Sequence, residues 1–114
     1  MSENNKTQMS PQEEKRLALR ALIQAAVGTE IKLYFQPGTN LEMEYPCILY
    51  MRKDVMSERA NNRRYVTHDT YDVKYISASS DNDVIYKLLD IPMSEFDRRF
   101  VSDNLYHDVI IINI

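Results

Sequence analysis

The last ten residues, Leu105 to Ile114 (LYHDVIIINI), constrain the fold most. Beyond Asp108 both alternate sets of side chains are mainly apolar, with Val109 and Ile111 on one side and Ile110 and Ile112 on the other. A strand of that kind needs a covering layer on each face. Its place at the carboxyl end predicts that this strand is central in a sheet or joins an interface. The chain of 114 residues has room for one domain and one core. A domain of this size buries about two thirds of the surface that it exposes when unfolded.

The remaining elements follow from periodicity and punctuation. Residues 1–9 are polar and unpatterned and read as a tail, ahead of a single domain over 10–114. Ser10, Pro11 and Glu13 give an N-cap, a first-turn proline and a capping box. Leu19, Leu22, Ile23 and Ala26 then make one apolar stripe, and Gly28 ends it, which predicts a helix over 11–27. Glu30 to Gln36 alternates as a half-buried strand, and Pro37-Gly38-Thr39-Asn40 reads as a turn. Residues 44–52 form a second strand, which Pro46 starts near an edge or bulge. Residues 52–64 lack periodicity and read as a mobile loop between two long strands. A third strand over 64–77 sets Tyr65, Tyr71, Val73 and Tyr75 against His68, Thr70, Asp72 and Lys74. A second helix carries Val84, Ile85, Leu88 and Leu89, with Ser80 or Asp81 as its cap and Pro92 as its stop. A short strand from Phe96 to Phe100 and a turn at Ser102-Asp103-Asn104 precede the terminal strand. The expected fold is α+β, in the order α-β-β-β-α-β-β. Five mainly antiparallel strands are joined by hairpins, and two helices pack on one face.

Little in the composition points to catalysis. The 44% apolar and 27% charged fractions are ordinary for a soluble, cytoplasmic domain. No apolar run approaches a membrane span, and the first residues lack the apolar core of a secretory leader. A lone Cys47 excludes an internal disulfide, and two histidines argue against a His-based metal cage. With only two glycines, no phosphate-cradling loop is present, and no cofactor is expected. Cys47 lies in Pro46-Cys47-Ile48-Leu49 without a basic neighbour, so it reads as a buried small hydrophobe rather than a nucleophile. His107 beside Asp108, and His68 beside Asp69, could each form an oriented base, but no serine elbow answers them. Asp81-Asn82-Asp83 starts like a calcium loop without the glycine or the closing glutamate, and a helix cap fits better.

Charge is segregated along the chain. The whole carries −3, yet residues 52–64 carry +3 through Arg52, Lys53, Arg59, Arg63 and Arg64 against Asp54 and Glu58. Residues 81–108 carry −4. The basic segment could bind phosphate, meet an acidic partner or be solvated. A domain with one positive and one negative region can associate head to tail, and such contacts close into rings.

One set of motifs carries a family likeness. Tyr45-Pro46-Cys47-Ile48-Leu49-Tyr50, Ile91-Pro92, Phe96-Asp97-Arg98-Arg99-Phe100 and Asp103-Asn104-Leu105-Tyr106-His107-Asp108-Val109 recur in this order. The set resembles the tail terminator (tail completion) proteins of the head–tail neck of tailed bacteriophages, over residues 10–114. The resemblance implies an α+β subunit without catalytic residues or cofactors, made in the host cytoplasm and built into the virion. It implies a homo-hexameric ring that caps the tail tube protein and faces the head-side connector. DNA would pass through its lumen without base-specific binding, and no membrane would be involved. Its site residues would be interface or lumen groups, among which Arg52, Lys53, Arg59, Arg63 and Arg64 are the candidates. Another neck ring (head-closure or adaptor) is the nearest alternative, and a small nucleic-acid-binding α+β module is a more distant one.

Overall fold

The computed structural model describes the backbone of residues 9–36, 42–60 and 64–114, and the side chains of these except 56–60 and 64–67. In chain order the elements are α1 (Pro11–Val27), β1 (Lys32–Phe35), β2 (Cys47–Ala60), β3 (Arg64–Ser77), α2 (Val84–Leu89), β4 (Ser94–Ser102) and β5 (Leu105–Asn113). This is the expected α+β order. The five strands form one sheet in the order β1-β2-β3-β5-β4. The doubly apolar β5 is therefore internal, flanked by β3 and β4.

Helix α1 starts as its capping box dictates. Ser10 Oγ accepts from the Glu13 amide at 3.1 Å, and Glu13 Oε1 accepts from the Ser10 amide at 3.2 Å. Its apolar stripe buries Leu19 and Ile23 completely. Those two, with Leu88 of α2, cover Ile48, Tyr50, Tyr71, Val73, Ile110 and Ile112. Both helices thus lie on one face. The opposite face has its own smaller cluster of Cys47, Leu49 and Ile76, joined by Tyr34, Met43 and Leu105.

Two expectations about the sheet need correction. Strands β1 and β2 are parallel, in register from Lys32↔Cys47 to Phe35↔Tyr50, rather than a hairpin. The expected turn, Pro37 to Asn40, lies outside the described residues. A turn signal shows that the chain changes direction but does not count its reversals, and the connection from 36 to 46 is long enough for a crossover. Where β1 stops, Gln36 continues its ladder. The Gln36 amide donates to Tyr50 O at 3.0 Å, and Gln36 Oε1 accepts from the Arg52 amide at 3.1 Å. Tyr34 OH accepts from the Glu44 amide at 3.1 Å and ties down the returning chain.

The second correction concerns residues 52–64. Most of this segment is strand, since β2 runs to Ala60 and β3 begins at Arg64. Pairing needs only backbone partners in register, so a polar sequence without periodicity can still form a two-stranded ribbon. A bulge between Arg52 and Asp54 resets that register. The pairing of β5 with β3 ends at the level of Asp69, whose amide and carbonyl both bond Ile114, at 3.0 and 2.9 Å. The β2–β3 ribbon continues past that level from Met56↔His68 to Ala60↔Arg64. At ~3.3 Å per residue it projects about 17 Å beyond the sheet.

Candidate functional site

Strand β4 is one of the two edges of the sheet, with α2 packed beside it. The bulge at Asp97 sets Phe96, Arg99 and Val101 opposite Ile110, Asp108 and Tyr106, on the helix-covered face. Helix α2 has six residues and covers this end of the sheet only in part. A concavity of about 620 Å³ is left between them, floored by Ile85 and Leu89 and flanked by Tyr86, Phe96, Asp81 and Asp83.

One ion pair fixes its wall. Asp108 is 2% exposed on β5. Its Oδ1 accepts from Arg99 Nε at 2.6 Å, and its Oδ2 accepts from Arg99 Nη2 at 3.1 Å and from Asn82 Nδ2 at 3.2 Å. Arg99 Nη2 also donates to Ser80 O at 2.8 Å, which ties the loop before α2 to β4. The Asp108 hydrogen bond, opposed by burial and helped by the nearby charges of Asp108 and Asp81, pushes the Arg99 guanidinium above its ordinary pKa. Arg99 is committed to this pair. Asp81 and Asp83 keep their carboxylates free of hydrogen bonds and ion pairs among the described residues, so the rim is acidic. The N-cap position of α2 is Asp83, rather than the expected Ser80 or Asp81, and its side chain makes no cap hydrogen bond; Asn82 Oδ1, one residue earlier, accepts from the Ile85 amide at 3.1 Å instead.

Large apolar side chains gather on this flank. Tyr86 is 68% exposed, Met93 64%, Phe96 46% and Val101 60%.

The residues expected from sequence to form a functional set fall in several places. Arg52 turns inward. Its Nη2 donates to Tyr71 OH at 3.0 Å and to Gln12 O at 3.4 Å, its Nε lies 3.4 Å from Asp69 Oδ2, and its guanidinium stacks over Phe35 and Tyr71. Lys53 lies 4.0 Å from Asp72. Arg59 and Arg64 occupy paired positions at the end of the ribbon, opposite Tyr65 and Ala60, and Arg63 lies outside the described residues. Tyr45 and Pro46 share a cis peptide just ahead of β2. On β4, Asp97 pairs with its neighbour Arg98. Asp103 and Asn104 form the two-residue turn between β4 and β5, with φ of 55° and 65°.

Among the described residues neither histidine is oriented by its neighbouring aspartate. His107 stacks on Phe100, with ring centroids 4.6 Å apart, while Asp108 faces the other side of the sheet. Asp69 pairs instead with Lys15 at 3.5 Å and with Arg52. Cys47 is fully buried, and burial pushes its thiol up to about 11. Among the described residues no group of three or more His, Cys, Asp or Glu side chains could hold a metal ion. No described helix is long and apolar enough to cross a membrane.

Sequence reasoning missed two sets of partners, Arg99 with Asp108 and Asn82, and Asp69 with Lys15 and Arg52. The signal for the first was present in Arg99 within the basic pair of β4 and in Asp108 as the polar break before an apolar run. Their pairing depends on the β4–β5 register. No protein-family model matches the chain, and no curated protein matches it.

Proposed function

We propose that this chain is a structural ring subunit of a phage head–tail neck, a tail terminator that caps the tail tube and meets the head-side connector. One observation carries this reading beyond the motif resemblance: the exposed apolar side chains of α2 and β4, along an edge of the sheet. At one end of the sheet the β2–β3 ribbon projects beyond the other strands and has a different character. Two dissimilar flanks suit head-to-tail contacts, which close into rings when the rotation allows. The copy number of six comes from the resemblance.

In this role the chain performs no catalysis. Cys47 serves the smaller core cluster, and His107 serves the packing of β4 on β5. The test is a density map of the assembled neck containing this chain. Six copies in a closed ring at the head-proximal end of the tail tube support the reading. Five or twelve copies, or a position elsewhere in the particle, overturn it.

A further inference from the structure

The exposed flank needs an occupant, and the chain itself carries a segment of matching chemistry. We propose that the concavity between α2 and β4 receives the end of the β2–β3 ribbon from a second copy of this chain. This inference rests on the ring reading above and specifies its contact. Residues 59–64 (Arg-Ala-Asn-Asn-Arg-Arg) carry three arginines and no acidic residue. The concavity offers the free carboxylates of Asp81 and Asp83 beside the rings of Tyr86 and Phe96. Arginine is the side chain that uses both, since its guanidinium donates in its plane to a carboxylate and stacks an aromatic ring on its face.

The donor must be another copy. The concavity lies at the level of the Arg99↔Asp108 pair, and Asp108 in turn faces Tyr75 of β3. Arg64 stands at the far end of the same strand. At ~3.3 Å per residue that separation is about 36 Å along β3. Two extended strands also hold the ribbon end away from its own α2. A chain whose projecting arm lies this far from its own receptor cannot satisfy itself, and each copy passes the contact on to the next. Arg99 contributes to this site by position. Its pairing with Asp108 cancels its own charge and leaves the rim negative.

The test is charge exchange in the full chain, read by sedimentation and native mass measurement across a wide concentration range. One variant carries Arg59→Glu, Arg63→Glu and Arg64→Glu; a second carries Asp81→Lys and Asp83→Lys; a third carries all five changes. Circular dichroism and urea unfolding check that each folds. The expected result is that each of the first two weakens self-association at least tenfold. The variant with all five changes associates more tightly than either partial variant, because charge complementarity is restored with its sign exchanged, but stays weaker than wild type, because glutamate does not stack on the rings. Self-association unchanged in both partial variants overturns this contact and leaves the ring reading standing. A contact that responds as expected, in an assembly of another copy number, supports the contact and overturns the hexamer. A wild-type chain that stays monomeric to millimolar concentration, and gives no cross-link between cysteines placed at Ala60 and Tyr86, overturns the contact outright.

Discussion

Cys47 shows how a single side chain can carry a pH signature without any chemistry. It is wholly buried between β1 and β3, and its thiol is pushed up from 9.0 to about 11 by desolvation. A folded-state pKa above the unfolded value leaves stability intact below pH 9 and removes it as the pH rises towards 11. At 1.36 kcal/mol per unit the loss approaches about 2–3 kcal/mol. Burial also raises the pKa of Tyr71, against an opposing hydrogen bond from Arg52, and that of Tyr75. These two add the same sign of effect above pH 10. Urea unfolding between pH 8 and 11 should show stability falling, and Cys47→Ala should flatten the part between 9 and 10.5. Thiol reagents should label native Cys47 only as fast as the domain opens. Rapid labelling of the native state would contradict this burial. Asp69 is the second residue of consequence. Its carboxylate is 3% exposed between Lys15 and Arg52, which are 25% and 21% exposed. Asp69→Ala leaves two partly buried cations facing each other and should cost about 2–3 kcal/mol in urea unfolding, below the range for a fully buried pair because water reaches both cations.

Among the elements, the β4–β5 hairpin has the sharpest local requirement. Asp103 and Asn104 both hold positive φ in a two-residue loop, the conformation that matches the right-handed twist of the flanking strands. Asparagine and aspartate tolerate it, and glycine adopts it without strain. Asn104→Gly should therefore be neutral or stabilising by up to ~1 kcal/mol, whereas Asn104→Val should cost about 1–2 kcal/mol. Thermal melts of the two variants check the sign. Helix α1 depends on its reciprocal cap in the same local way, and Ser10→Ala should cost about 1 kcal/mol. Helix α2 is too short to stand alone. It is held by Leu88 in the core and by the Asn82–Asp108–Arg99 network that anchors the chain before it.

For the whole molecule, the decisive property is the difference between its two flanks. Tyr86 and Phe96 are exposed, so truncating them should change folding stability by no more than about 0.5 kcal/mol. If they anchor a neighbouring copy, Tyr86→Ala and Phe96→Ala should each weaken self-association at least tenfold, as buried aromatic anchors do. Salt separates their share from that of charge. Raising sodium chloride from 0.05 to 0.5 M should weaken the wild-type contact, because screening shortens the reach of the basic ribbon end towards Asp81 and Asp83. Association that strengthens with salt would assign the contact to apolar burial alone.

Much of the fold was legible in the residues. The capping box and the apolar stripe set α1 from Pro11 to Val27, and strict alternation set β3 from Arg64 to Ser77. The run from Val109 to Ile112 demanded a central strand and received one between β3 and β4. These signals are local, each depending on spacing within a few residues. The site was less legible. Strand direction between β1 and β2, the ribbon built from a segment without periodicity, and the pairing of Arg99 with Asp108 all depend on which backbones meet and in what register. The same holds for Arg52. Its charge marked it as a surface group, but its place opposite Tyr71 on the helix-covered face turned it inward towards Asp69. Sequence determined the elements and the segregation of charge along the chain. Only the tertiary structure decided which of the described charges pair within the chain, because pairing depends on distances that no spacing in the chain records.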